Sequence, residues 1–142
     1  MHEDTLARVE LFDGLDKKEL QALARECRER TYHAGETLIK QGDSGAGLFI
    51  ITRGHVKIVQ SHSPDRAEEE LATFGPGSVL GEMALLDDLP RSASVVAIDD
   101  VTALLLPVWE FRTIVRSHPE IALKLLSVMS KRLRRLESKV SQ

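Results

Sequence analysis

Cysteine is almost missing from these 142 residues, with Cys27 standing alone. An internal disulfide is thereby excluded, and one thiol cannot by itself build a metal site. No apolar run approaches the roughly 18 residues that suggest a membrane span. The opening Met1-His2-Glu3-Asp4 is polar and acidic, without the apolar stretch of a signal peptide, so a cytoplasmic protein is the expectation. A large charge of either sign is absent too. The net charge of −3 gives no general pull toward nucleic acid or anionic membrane. The histidines, His2, His33, His55, His62 and His118, show no metal-ligand spacing, and no metal is expected. There is no P-loop and no nucleophile with a base and an orienting group, which argues against an enzyme. Internal repeats and low-complexity stretches are absent.

What remains is the composition of one soluble globular domain, with 42% hydrophobic and 29% charged residues in 15.8 kDa. Charge is uneven along it: residues 118–142 hold six Lys/Arg against two Glu. Asp16-Lys17-Lys18-Glu19 reads as a helix N-cap with a capping-box glutamate. Leu20, Leu23, Ala24 and Cys27 then recur at helical spacing and predict a helix over about residues 16–29, with Cys27 as a small residue on its apolar face.

From Thr31 to Pro107 the texture changes to short Val, Ile, Thr and Phe segments separated by Gly, Pro, Asp and Ser. Strands are predicted at Thr37–Lys40, Leu48–Thr52, His55–Gln60, Glu70–Phe74, Ala93–Ile98 and Thr102–Leu106. In the third of these, Val56 and Ile58 alternate with Lys57 and Val59, which suits one buried face. Several strands at such spacing indicate a sandwich or a jelly-roll barrel. Ser61–Glu69 is expected to be an exposed hairpin loop.

Helical character returns after Pro107. Val108–Ser117 suits a short helix, and Ser117-x-x-Glu120 around Pro119 marks the start of another. In that last helix Ala122, Leu126, Met129, Leu133, Leu136 and Val140 alternate at spacings of four and three, a coiled-coil-like seam that points to a homodimer. Ile121, Leu125 and Val128 form a neighbouring face suited to packing on the barrel.

The most informative run is Gly81-Glu82-Met83-Ala84-Leu85-Leu86-Asp87-Asp88-Leu89-Pro90-Arg91-Ser92-Ala93-Ser94-Val95. A glycine that allows close backbone approach precedes small residues able to open a short helical turn, whose free N–H groups can face an anion. After a loop comes Arg91, whose planar, permanently charged guanidinium matches a phosphate. An alternative reading, a structural Glu82–Arg91 ion pair at a hairpin, would not call for Gly81 or the small residues between.

This run resembles the phosphate-binding cassette of the cyclic-nucleotide-binding domain family, which includes catabolite activator proteins, regulatory subunits of cyclic-AMP-dependent kinase and cyclic-nucleotide-gated channels. The resemblance extends to Leu11-Phe12-Asp13-Gly14-Leu15, His33-Ala34-Gly35-Glu36 with Gln41-Gly42-Asp43, and Gly54-His55-Val56-Lys57-Ile58. It also takes in Gly75-Pro76-Gly77 and Ser117-His118-Pro119-Glu120. It implies an α+β fold: a β jelly-roll barrel over about 31–107, flanked by an N-terminal helical segment over about 1–30 and two C-terminal helices over about 108–140, together one domain of residues 1–142.

The same resemblance implies a ligand, cAMP or cGMP, and no cofactor. Arg91 would meet the cyclic phosphate, with backbone N–H groups from Met83, Ala84 and Ala93. Glu82 would accept from the ribose 2′-hydroxyl beside Gly81. Ser92 stands where members selective for cyclic GMP often carry Thr, kinase-type cyclic-AMP sites Ala, and bacterial activators Ser, so it does not decide between nucleotides. Arg132 aligns with a base-contacting arginine of some channel domains, although a solvated helix face explains it as well. Leu80 and Met83 depart from the commoner Phe and Leu or Ile, which alters packing more than chemistry. No helix-turn-helix follows the last helix in this sequence. A bacterial sensor acting through its own helices, a dimer or an effector protein is therefore expected. A sensor fragment of a larger transcription regulator, channel or transporter, or a structural module with an inactive pocket, are the alternatives.

Overall fold

The computed structural model describes residues 2–87 and 89–141; Met1, Asp88 and Gln142 lie outside it. Eight strands build the middle of the chain: β1 Arg28–Tyr32, β2 Thr37–Ile39, β3 Gly47–Arg53, β4 Val56–Gln60, β5 Glu69–Phe74, β6 Val79–Leu80, β7 Ser94–Ala97 and β8 Val101–Pro107. They form two antiparallel four-stranded sheets, ordered β1-β8-β3-β6 and β2-β7-β4-β5. This is a jelly-roll-like arrangement, and with the helices it makes the α+β fold expected.

The core lies between the sheets. Phe49, Ile51, Ala103 and Leu105 come from one sheet and Ile39, Val56, Val95 and Ala97 from the other, all in one buried cluster. Complete burial of such a side chain is worth roughly 1.5–3 kcal/mol. Period-two patterning explains which residues point inward. Val56 and Ile58 of β4 stand opposite the buried Ala97 and Val95, Val56 within the core cluster and Ile58 packed against it, as the alternation predicts. Val59 is buried as well, at 6% exposed. In β5, Ala72 pairs with Ile58 and Glu70 with Val59, so Leu71 is the extra residue of a bulge.

Two strands carry no sequence signal. β1, Arg-Glu-Arg-Thr-Tyr, is almost wholly exposed and takes its conformation from main-chain pairing with Val101–Leu105. It begins at Arg28, so the preceding helix, α2, runs only over Lys17–Ala24, and the half-buried Cys27 lies beyond it rather than on its apolar face. β6 is two residues long.

Residues Cys27–Val108 make one compact unit, and the segments on either side of it make a second. In that second, helical unit, α1 covers Glu3–Leu6, a 3₁₀ turn covers Glu10–Phe12, and α4 covers Pro119–Ser141. α3, Val108–Ser117, has the bounds expected of it. The capping box at α2 is formed: Glu19 N–H donates to Asp16 Oδ1 at 2.9 Å, and Asp16 N–H donates to Glu19 Oε1 at 2.8 Å. The buried Glu19 carboxylate also accepts from Lys124 Nζ at 2.6 Å, which satisfies it. Phe12 stacks on Phe111 with ring centroids 6.4 Å apart. α4 buries Ile121, Leu125 and Val128 and packs on the 3₁₀ turn.

The helix start expected around Pro119 is present. Ser117 ends α3, its hydroxyl donating back to the Thr113 carbonyl at 3.2 Å, and α4 begins two residues later. Pro119 takes the first position of α4, where its missing N–H costs nothing.

Candidate functional site

The candidate site lies in the sheet unit. Gly81 follows β6 with φ 75° and ψ 22°, in the left-handed region where glycine is strongly favoured. This turn reverses the chain into a 3₁₀ helix, Glu82–Leu85, whose N-cap is Gly81 itself. Ala84 N–H donates to the Gly81 carbonyl at 3.0 Å and closes the turn. Ala84 and Leu85 are buried, Glu82 is half-buried, and Met83 faces outward.

Arg91 arrives from the other direction, just before β7, with its backbone clamped by the turn after β2. Arg91 N–H donates to the Asp43 carbonyl at 2.9 Å, and Gly42 N–H donates to the Arg91 carbonyl at 2.8 Å. An isolated bridge pairs Ser44 with Pro90. Gln60 Nε2 donates to the Ser92 carbonyl at 2.9 Å, and Ser94 Oγ accepts from Gln41 N–H at 2.8 Å. Ser94 is thus bound into the scaffold. The Ser92 side chain is exposed and Ala93 is half-buried.

Clamped in this way, the Arg91 side chain enters a slot walled by glycine. A Cβ added to Gly45 would lie 2.3 Å from Arg91 Nη2 and 2.5 Å from Ala84 Cβ; one added to Gly81 would lie 2.7 Å from Nη2. Nη2 donates to the Gly47 carbonyl at 3.2 Å. Nε is buried and has no hydrogen-bond partner among the described residues. Burial lowers the pKa of this guanidinium from its ordinary value, and the charge of Asp87 partly opposes the shift. A buried cationic donor left unbonded is costly, and an anionic acceptor would relieve that cost.

The structure therefore brings Gly81, Ala84 and Arg91 together, with Glu82 and Met83 on the adjoining turn and Ser92 and Ala93 continuing from the arginine. Arg132 stands in the helical unit, on α4, where its Nε donates to Glu10 Oε1 at 2.6 Å. Sequence reasoning missed Gly45 and Gly47. The available signal was three glycines within Gly42-Asp43-Ser44-Gly45-Ala46-Gly47, directly before an apolar strand. Among the described residues no cluster of His, Cys, Asp or Glu is suited to hold a metal. No helix among them is long and apolar enough to cross a membrane.

Comparison with known proteins gives a consistent picture. The family description "Cyclic nucleotide-binding domain" matches residues 29–118. The chain is 32% identical over 139 residues to a CRP-like cAMP-activated global transcriptional regulator of Mycobacterium tuberculosis, covering 98% of this chain and 62% of that protein. It is 36% identical over 124 residues to the cyclic AMP receptor protein of Thermus thermophilus, covering 87% of this chain and 57% of that one. The chain thus spans about three fifths of the length of these relatives. Among solved structures, the N-terminal domain of a transcriptional regulator from Streptomyces coelicolor superposes with a TM-score of 0.85 at 35% identity, covering 96% of this chain and 95% of that one.

Proposed function

This chain belongs to the cyclic nucleotide-binding domain family, and on that premise we propose that it is a cytoplasmic sensor of cAMP or cGMP whose α4 changes position when ligand binds. The observation that carries this reading is the glycine-walled slot holding Arg91 with an unbonded, buried Nε. A cyclic phosphate bears one negative charge and several acceptor oxygens. It would complete the guanidinium's hydrogen bonds and offset the cost of its burial.

Each remaining residue has a place in this reading. Gly81 lets the backbone approach the ligand, and Glu82 accepts from the ribose 2′-hydroxyl. The N–H groups of Met83, Ala84 and Ala93 face the phosphate, with that of Ala84 shared with the Gly81 carbonyl. Ser92 adds a hydroxyl beside the phosphate, and Arg132 of α4 meets the base. The whole chain then works as one ligand-binding domain. An inactive pocket filled by a side chain is disfavoured, since no described residue bonds Arg91 Nε.

The signal leaves through α4. Leu126, Leu133, Leu136 and Val140 are 58–87% exposed on one seam of this helix. An exposed apolar row at alternating spacings of four and three suits a helix pair. We therefore read the working form as a homodimer through α4, to which an effector responds. The regulatory character of the relatives named above supports a binding role over a catalytic one.

Thermal melting of nucleotide-free protein with cAMP, cGMP and 5′-AMP tests the function. A ligand that binds only the folded state raises the melting temperature in proportion to its saturation. A rise with a cyclic nucleotide that exceeds the rise with 5′-AMP is expected. No rise with either cyclic nucleotide at millimolar concentration would overturn the reading.

A further inference from the structure

The helical unit holds a groove of its own, of about 570 Å³, with every wall drawn from that one unit. Sites for small molecules are of this size. One wall is α4. Lys124, Lys131, Arg134 and Arg135 recur along it at spacings of seven, three and four, so the helix turns all four cations to one side. The other wall is the 3₁₀ turn and the residues after it, fixed by the buried Leu11 and Phe12, and it contributes Glu10 and Asp13. At Gly14 the backbone runs against the Lys124 stem, where a Cβ would stand 3.5 Å from Lys124 Cβ.

Two of the four cations are already answered by carboxylates. Lys124 Nζ donates to Glu19 Oε1 at 2.6 Å, and Arg135 Nη2 donates to Glu10 Oε1 at 2.8 Å. The other two are not. Lys131 and Arg134 are exposed, and neither side chain has an ion-pair or hydrogen-bond partner among the described residues. They stand three residues apart, with Lys131 four from Arg135, so like charges repel along this stretch of the helix. An anion lying across them would remove that repulsion.

We propose that this groove is a second ligand site, taking the polyphosphate chain of a nucleoside triphosphate or of an inorganic polyphosphate. Phosphate is the anion these groups match. The Arg134 guanidinium can grip two oxygens with its fork, and the Lys131 ammonium answers the others as a point charge. A polyphosphate gathers several negative charges in a short chain, which suits cations one helical turn apart. Glu10 and Asp13 disfavour a long acidic peptide or a nucleic-acid strand, whose charges would run past both carboxylates. The same carboxylates are acceptors. Asp13, whose side chain has no partner among the described residues, can receive the hydroxyls or amines of a nucleoside. One wall thus suits the charged end of a nucleotide and the other its donor-bearing end.

The test is isothermal titration of ATP, GTP, inorganic triphosphate and a tetraglutamate peptide, without added metal. The proteins are wild type, Asp13→Asn, Arg91→Ala and the double variant Lys131→Gln with Arg134→Gln, with thermal melting to verify that each is folded. Wild type is expected to bind at least one polyphosphate saturably at one to one, and the double variant to bind it about tenfold or more weakly. Arg91→Ala should bind it as wild type does, since Arg91 belongs to the sheet unit. A nucleoside triphosphate as occupant shows as tighter binding of ATP or GTP than of inorganic triphosphate, with the margin lost in Asp13→Asn. Equal binding of all three assigns the site to the phosphate chain alone. The inference is overturned if wild type binds none of them at millimolar concentration, if the double variant binds like wild type, or if Arg91→Ala loses the binding. Tighter binding of the peptide than of any polyphosphate would overturn it in favour of an acidic protein partner. The cyclic-nucleotide reading rests on other ligands and on Arg91, so either can fail while the other stands.

Discussion

Arg91 Nη2 donates to the carbonyl of Gly47 at 3.2 Å across 44 positions of sequence. This bond, and the clamp of the Arg91 backbone between Gly42 and Asp43, ties the arginine to the turn that follows β2. The arginine proposed to meet the phosphate is thus held by the turns of its own unit. Preformed donors lose little freedom on binding.

Gly45 keeps that slot open. Gly45→Ala would place a methyl carbon 2.3 Å from Arg91 Nη2 and 2.5 Å from Ala84 Cβ, so the guanidinium must move. Affinity for cyclic nucleotide is expected to fall by about tenfold or more, on the scale of one charge-assisted hydrogen bond. Titration calorimetry would show this, with melting as a check on folding. Unchanged affinity would mean that the arginine has room the geometry does not provide.

Removing the guanidinium altogether should affect the ligand-free fold in the opposite sense. Arg91→Met removes the buried Nε that no described residue bonds, together with the Nη2 bond to the Gly47 carbonyl, while keeping much of the stem's volume, and replacing a buried charge in this way is often neutral or stabilising. The ligand-free variant is expected to melt at or above the wild-type temperature, and to gain nothing from cyclic nucleotide. A clear loss of stability would show that Arg91 acts mainly as a structural tie.

Acid should loosen the far end of the barrel through Asp99. Its carboxylate accepts from His55 Nδ1 at 2.8 Å and from His55 N–H at 2.7 Å, joining the turn before β4 to the turn before β8. The side-chain bond from His55, then the backbone bond, lower the Asp99 pKa from its ordinary 3.8. A depressed carboxyl pKa contributes stability that is present above the unfolded value and lost as pH falls through the folded one. Asp99→Asn should therefore lower the melting temperature near neutral pH and flatten its decline below about pH 4. Parallel acid titrations of the two proteins would contradict this.

The exposed seam of α4 predicts association. Wild type is expected to sediment as a dimer, and Leu133→Ser with Leu136→Ser as a monomer of unchanged helix content. Analytical ultracentrifugation with and without cyclic nucleotide decides it. A wild type that stays monomeric at high concentration in both conditions would remove the dimer.

What could be read from the sequence was what local chemistry determines. The cap at Asp16, the bounds of α3 and the glycine-to-arginine run were legible because each depends on residues close in sequence. β1 was not, since Arg28–Tyr32 has no apolar alternation and becomes a strand only by pairing with β8. The same pairing cut α2 short of its expected end. The bulge at Leu71 comes from the register between β4 and β5 and leaves no mark within either segment. Gly45 and Gly47 were missed for a related reason: a glycine's importance depends on what approaches it, and here that is a side chain more than forty residues away.

The central claim is that Arg91 and its surrounding turns hold a cyclic nucleotide. Isothermal titration of nucleotide-free wild type and of Arg91→Ala with cAMP and with cGMP tests it most directly, after mass spectrometry confirms that no nucleotide has copurified. The account predicts saturable one-to-one binding of at least one nucleotide by wild type and a loss of about a hundredfold or more in the variant, as removal of paired charge-assisted bonds implies. No heat of binding from verified nucleotide-free wild type, or near-normal affinity in Arg91→Ala, would contradict it.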